Sequence, residues 1–352
     1  MIMDNTNAIK NILMVFLIAL LVYLMALLSA LLVPLAMALL FALFFYPLQL
    51  QLIKWKIPKV LTIPIIILFS TIVFTSLISI VVMTGIEMAD DMNYFSERLS
   101  YKFDGFFNWL ESVTYQKFDF TSLLEMARQH LNLQNITNFI GSVVGSIGNF
   151  SGSFVIFMIY YIILLSGMTN YKKYITYVSG DKIDSKMLKN FEQIQQNLIF
   201  YIKYKSLLNF ISTAIFTIIL FSFGIKFALF WGVLNFFLNF IPNFGSLFAL
   251  IFVGLMGLVQ FDSLNTLVLL MGLLLLNNFI MGSIVEPKVM GNKLSLNTLT
   301  VIFGLFFWGY IWGIPGMFLA VPLLVITKVI FESFPGLAFV GRLMGYSGSK
   351  EN

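Results

Sequence analysis

The sequence contains no cysteine and a single histidine, His130, in 352 residues. Disulfides, thiolate metal sites and cysteine nucleophiles are therefore excluded, and a cluster of histidines cannot be assembled around a metal. Charge is scarce as well. Asp, Glu, Lys and Arg make up 11 % of the chain, against about 25 % in a soluble domain. Hydrophobic residues reach 59 %, where roughly 45–50 % is usual. A soluble fold of this size could not cover its surface with so few polar groups. The chain reads as an integral membrane protein whose first partner is the lipid bilayer. The net charge of +5 does not point to nucleic acid, because no basic run is interleaved with aromatics. Excess Lys and Arg fits cytoplasmic loops instead.

What is there is long apolar runs. A bilayer core needs about 20 apolar residues per helix, because water cannot satisfy the backbone inside it. The uncharged run from Asn11 to Ile53 far exceeds the roughly 7–15 apolar residues of a signal peptide and reads as about two retained spans. The residue before a proline is biased away from helix, so Pro34 is expected at the hairpin tip. A third span runs over 60–85, a fourth over 151–168 and a fifth over 206–225. The window 227–261 is broken at Pro242, a span follows over 264–285, and the last window, 294–327, is broken at Pro315.

Two polar segments of opposite sign separate these runs. Residues 87–150 carry eight acidic and four basic side chains, and 170–205 carry seven basic and three acidic. The positive-inside rule places the Lys-rich segment in the cytoplasm. The expected organisation is a transmembrane region over 1–86, an acidic, amphipathic-helical extracytoplasmic domain over 87–150 that contains His130, and a span over 151–169. A cytoplasmic segment over 170–205, a transmembrane region over 206–334 with hairpins at Pro242 and Pro315, and a cytoplasmic tail over 335–352 complete it. Counting spans puts both termini and every Lys-rich loop inside, with Lys226 the one exception. The fold class is all-α, polytopic, with proline-broken or re-entrant hairpins. Phe41-Ala42-Leu43 follows Pro34 much as Phe248-Ala249-Leu250 follows Pro242. This is either chance in so apolar a chain or the trace of an inverted repeat, a common build of secondary transporters.

Candidate chemistry sits in the breaks. Asn235 and Asn239 are four residues apart and share a helix face; Pro242 then breaks the helix, with Asn243 and Gly245 at the tip. An amide in hydrocarbon costs a few kcal/mol unless paired, so these side chains either line a cavity or bond neighbouring helices. Asn277 and Asn278 are adjacent, so at most one of them is expected to face any one cavity. Glu286, directly before Pro287, could bind a cation or proton, or pair with lysine at the membrane surface. In the last window Gly304, Gly309, Gly313 and Gly316 permit close helix approach, while Trp308, Tyr310 and Trp312 read as an interfacial aromatic belt.

The ordered motifs IPNFG (Ile241–Gly245), VEPKVMG (Val285–Gly291) and WGIPGMFLAVPL (Trp312–Leu323) resemble the AI-2E family of bacterial membrane transporters. The N-terminal VPLAMALLFALFFYPL with the basic KWKIPK after it is similar to that family's opening hairpin. The resemblance covers essentially the whole chain. It implies a multi-span inner-membrane transporter of the autoinducer-2 exporter type and a homo-oligomer, with a pentamer as the candidate assembly. Members described as sodium or lithium/proton antiporters and as general permeases leave the substrate open. The elements the resemblance marks are the tip Pro242–Gly245, Glu286-Pro287 with Gly291, and the stretch Gly313, Pro315, Gly316 to Pro322. Asn243 departs from the family, where an aromatic often stands.

The sequence therefore favours export of a small, neutral, polar metabolite, because the spans carry amides and almost no charge. A cation/proton antiporter using Glu286 is the alternative, with a carboxylate that stands at a span end. A channel or scaffold comes third, because no helix face reads as polar along its length. Catalysis, a cofactor and a resident metal are not expected.

Overall fold

The computed structural model describes residues 2–91, 94–95, 97–102, 104–105, 154–168, 185–242, 244–290, 296–334 and 336–345. All regular structure among them is helical. His130 and most of the acidic segment lie outside the described residues, as do Asn243 and Gly291. The elements are α1 (Ile2–Leu27), α2 (Ser29–Lys54), α3 (Lys59–Asp90), α4 (Phe154–Gly167), α5 (Ser185–Ser222), α6 (Ala228–Leu238), α7 (Phe244–Gln260) and α8 (Leu264–Phe279). A π-helix (Ile280–Val285) leads into α9 (Glu286–Met290), and α10 (Thr298–Ser333) and α11 (Ala338–Leu343) close the chain. Five stretches are long and apolar enough to cross a bilayer: Ser29–Lys54, Lys59–Met88, Glu192–Ser222, Leu264–Met290 and Thr298–Ser333.

The described chain forms two compact units. The first takes Met1–Leu68, Gly152–Tyr204 and Met290–Asn352, and the second Phe69–Ser151 and Lys205–Val289. In the first unit aromatic rings lock α2 to α4. Phe157 meets Phe41 edge-on at 5.4 Å and stacks on Tyr161 at 5.8 Å. Beyond the rings, buried Gln49 donates to the Leu165 carbonyl near the α4 terminus (3.2 Å). Helix ends leave carbonyls without intrahelical donors, and this side chain supplies one.

The first break falls at Leu28, not at Pro34. Proline lacks an N–H and its ring presses on the carbonyl four residues back, and the bend lies on that N-terminal side, six residues before Pro34. Leu28 adopts φ −89°, ψ 15°, and helical bonding resumes at once, with Leu31 and Leu32 donating to its carbonyl. The junction of α1 and α2 is thus a bend rather than a loop. Pro34 and Pro242 consequently sit in different settings: one inside a helix, the other at a true break.

The break expected at Pro315 is present, and its turning residue is Gly313 (φ 63°, ψ −144°), a conformation open essentially to glycine alone. The two legs of α10 fold back on each other. A Cβ on Gly316 would overlap the Trp308 carbonyl, one on Gly304 would overlap Leu324, and one on Gly309 would lie 2.8 Å from the Met317 methyl. Glycine at these positions lets the backbones touch. Trp308 is buried and packs on Trp312, whose indole N–H donates to the Met25 carbonyl (3.0 Å). The belt expectation therefore fits only Tyr310, which is 93 % exposed. Asn297 closes the base of the hairpin. Its Oδ1 accepts from Thr300 N (2.7 Å) as an N-cap, and its Nδ2 donates to the Leu343 and Gly345 carbonyls at 2.7 and 3.1 Å.

Gly316→Ala should lower the thermal midpoint of the detergent-solubilised protein by several degrees, since overpacking costs roughly 1–3 kcal/mol. Gly272→Ala, where a Cβ meets nothing within 4 Å, should leave it unchanged in the same melt.

Candidate functional site

The site is built in the second unit from α5, α6, α7 and α8. The sequence on α5 carries Lys205, Asn209, Ser212 and Phe216 at helical spacing on one face, with Ser206 and Thr213 beside them. All of Lys205, Ser206, Asn209 and Ser212 are buried. Polar side chains facing protein in an apolar helix need partners, and neighbouring helices provide them for most of these, the Ser206 hydroxyl having none among the described residues. Asn209 donates to the Phe236 carbonyl (3.4 Å), Asn235 to Thr213 Oγ1 (3.2 Å), and Asn277 to the Ser212 carbonyl (3.2 Å). Gly232 allows the close approach of α5 and α6, since a Cβ there would overlap Thr217 Oγ1.

The break between α6 and α7 satisfies its own backbone. Ile241 N donates to the Leu238 carbonyl (2.8 Å) and Gly245 N to the Ile241 carbonyl (3.1 Å). Gly245 lies against the end of α6, where a Cβ would overlap the Leu238 carbonyl. The α6 helix has 11 residues, about 16 Å at 1.5 Å per residue. It is too short for a core of about 30 Å, which marks the hairpin as re-entrant.

Against this tip lies a cavity of about 10 Å³ lined by Ser212, Phe216, Asn235, Asn239, Ser246, Leu250, Leu274, Asn277 and Asn278. That volume holds about one water molecule. Its lining has four amides, two seryl hydroxyls and no charge. Both Asn277 and Asn278 reach it, contrary to the expectation that adjacency would let only one face a cavity. Both line it from the same turn of α8, Asn277 buried and Asn278 half-buried. Asn235, Asn239, Asn278 and Gly245 are thus gathered at one place, with Pro242 in the adjoining turn. Gly313, Pro315, Gly316 and Pro322 belong to the first unit and take no part in this cavity.

Glu286 has a partner that the sequence did not reveal. Its Oε1 lies 2.6 Å from Lys205 Nζ, with the lysine side chain 5 % exposed and the glutamate 30 %. The π-helix before it follows from Pro287, whose missing N–H and ring disfavour regular bonding one turn back; Glu286 N accordingly donates five residues back to Met281 O. The interior is therefore not free of charge, and Lys205 is not in a solvated cytoplasmic loop. It sits inside α5, within the stretch Glu192–Ser222 that can span a bilayer. Lys205, Ser212, Thr213 and Ser246 escaped the sequence reading. The available signal was the 205–209–212 spacing in an otherwise apolar run, hidden because the span had been started one residue after Lys205.

At the opposite end of α5 and α8 the unit is tied by helical residues 97–102. Arg98 Nη2 and Lys102 Nζ reach Asp262 Oδ1 at 3.1 and 2.7 Å, and Lys102 also donates to the Phe261 carbonyl. Lys226 pairs with Asp91 (3.0 Å) and lies 5.8 Å from the Tyr94 and Phe95 ring centres. This pairing accounts for the one lysine that defied the charge rule. The Lys102 hydrogen bond, followed by the Arg98 and Lys102 charges, holds the Asp262 carboxyl below its ordinary value of 3.8.

Two outcomes follow. Glu286→Leu alone should destabilise the protein by about 3–5 kcal/mol, because it strands an ammonium that is 5 % exposed, whereas Lys205→Met/Glu286→Leu should recover most of the loss; chemical or thermal unfolding in detergent reads both. Asp262 contributes stability above about pH 3.8, where the unfolded carboxyl would already be ionised, and loses it as pH falls through its lower folded value. The difference in thermal midpoint between the parent and Asp262→Asn should hence be constant from pH 8 to 5 and shrink only below about 3.8.

The family comparisons agree with this architecture. The model of the AI-2E family transporter matches residues 12–336, a range that takes in both units. A candidate transport protein of Haemophilus influenzae is 28 % identical over 304 residues, 85 % of either chain. One from Borreliella burgdorferi is 29 % identical over 210 residues, 59 % of this chain and 58 % of that protein. The AI-2 transport protein TqsA of Escherichia coli K12 is 39 % identical over 136 residues, 39 % of each chain. With broken helices, a re-entrant tip and a family match over nearly its whole length, the chain belongs to the AI-2E transporter family and is a multi-pass membrane transport protein.

Proposed function

We propose that the protein is a secondary transporter that exports a small, neutral, polar metabolite of the autoinducer-2 type by alternating access. The observation that carries this reading is the composition of the cavity wall: four amides and two hydroxyls, with no charged side chain. An amide offers both a donor and an acceptor, and a solute hydroxyl needs both. Asn239, Asn278 and Ser246 have no hydrogen-bond partner among the described residues, so their capacity is left for a ligand. A site built this way offers a charged solute no counter-charge. The volume of about 10 Å³ fits a closed state, and admission of a metabolite requires the α6–α7 tip to move. The similarity to a protein named for AI-2 transport supports the solute class.

A second reading, exchange of a monovalent cation for a proton at Glu286, is favoured by the pairing of this half-buried carboxylate with buried Lys205. Within the same proposal the protein resides in the bacterial cytoplasmic membrane with both termini inside. It assembles as a homo-oligomer, a pentamer being the candidate, and the segments marked earlier at Gly291, Gly313, Pro315, Gly316 and Pro322 act as hinge or gating elements rather than solute contacts.

Export of a labelled hydroxylated solute from inverted vesicles tests the main reading. Asn239→Leu and Asn278→Leu should each slow transport by at least about tenfold, the loss expected when a polar solute meets an unmatched apolar wall, with membrane levels unchanged. Unaltered rates would sink the site. A pH-dye measurement of sodium-driven proton flux that vanishes in Glu286→Gln would instead support the second reading.

A further inference from the structure

The cavity lies between two sets of ion pairs, and both helices that frame it show the same order. Along α5 the sequence runs Lys205, then the cavity residues Ser212 and Phe216, then the connection that carries Lys226. Along α8 it runs Asp262, then Leu274, Asn277 and Asn278, then Glu286 through the π-helix. At one end the Lys205–Glu286 pair ties α5 to α9. Ser212 is seven residues from Lys205, about 10 Å along the axis, and Phe216 is ten residues from Lys226. At the other end the described residues 91, 94–95 and 97–102 work as a strap. It grips the α5–α6 connection through Asp91 and Lys226, and the α7–α8 connection through Arg98, Lys102 and Asp262. Beneath these pairs Phe95 and Leu99 are buried in the core that includes Ile225, Ala228 and Val259, which plugs the same end with apolar side chains.

We infer that these are two opposed gates, and that the ion pairs of both are closed in this structure. The inference rests on the amide cavity being the solute site. Opening the strap gate parts charges that water receives at once, since Asp262 is 78 % exposed and Lys226 51 %. Opening the other gate parts Lys205 from its carboxylate while the ammonium is still inside α5, 5 % exposed, with only the Glu286 side of the pair, 30 % exposed, bordering solvent. The two gates are thus unequal. The strap opens by fluctuation, and the Lys205–Glu286 gate opens only when water or a cation reaches the pair.

The lack of native cysteine makes the test direct. Ser246→Cys places one thiol on the cavity wall, and its rate of reaction with a membrane-impermeant maleimide is measured in right-side-out and inside-out vesicles. The reporter alone should label slowly, and faster from the strap face. Adding Asp91→Asn/Asp262→Asn should raise labelling from the strap face by about threefold, as for exposed pairs. Adding Glu286→Gln should raise labelling from the opposite face by at least about tenfold. Swapping the pair, Lys205→Glu/Glu286→Lys, should return it toward the parent rate, a rescue that general unfolding would not give. Acceleration from the same face by both sets, or no change in either set in protein that remains monodisperse, would overturn the two-gate arrangement. No solute enters this assay, so its outcome is separate from that of the export measurement.

Discussion

Inside a bilayer every backbone N–H and C=O must find its partner within the protein, and the way this chain turns is governed by that requirement. The described breaks in the long apolar runs do not expose backbone. At the α6–α7 tip, Phe240, Ile241 and Gly245 each donate to a carbonyl of the adjoining turn. At Gly313 a single residue of positive φ reverses the chain, leaving hardly any peptide outside a helix. Glycine recurs at the contacts because turns this tight bring helices to backbone distance. Ala would overlap a carbonyl at both Gly245 and Gly316.

The same requirement extends to side chains and explains why the polar residues of the second unit form a connected set. Asn209, Asn235 and Asn277 are buried and each donates across to a neighbouring helix. These bonds fix the wall, and the side chains of Asn239, Asn278 and Ser246, which also line it, have no hydrogen-bond partner among the described residues. Amides bonded to a neighbouring helix and amides without such a bond therefore sit side by side. Mutation of the first kind weakens the fold; mutation of the second kind spares it.

Much of the fold could be read from the sequence because hydrophobic run length and proline position report directly on spans and breaks. The break near Pro242, the hairpin at Pro315 and the all-helical class were legible in this way. Pro34 misled, since the bend lies six residues before it and the helix continues through it. The site was half legible. Asn235, Asn239 and Asn278 stood out as amides in apolar runs, and Glu286 as a carboxylate beside a proline. Their partners did not stand out: the Lys205–Glu286 contact joins residues 81 apart in sequence, and nothing local marks such a pairing. Lysine at the edge of a basic segment reads as solvated until the helix is seen to continue through it. The role of Asn243 and Gly291, like that of His130, lies outside the described residues.

The close pairing of Lys205 with Glu286 also bears on how the protein responds to membrane voltage. A single charge carried through the full field does work of about 2.3 kcal/mol per 100 mV. Two opposite charges 2.6 Å apart that travel with their helices as a unit carry no net charge, so rigid movement of the pair is electrically silent. Only separating them along the membrane normal moves charge through the field. The resting potential therefore has little hold on the hairpins while the pair is intact, and it acts on the step in which lysine and glutamate part.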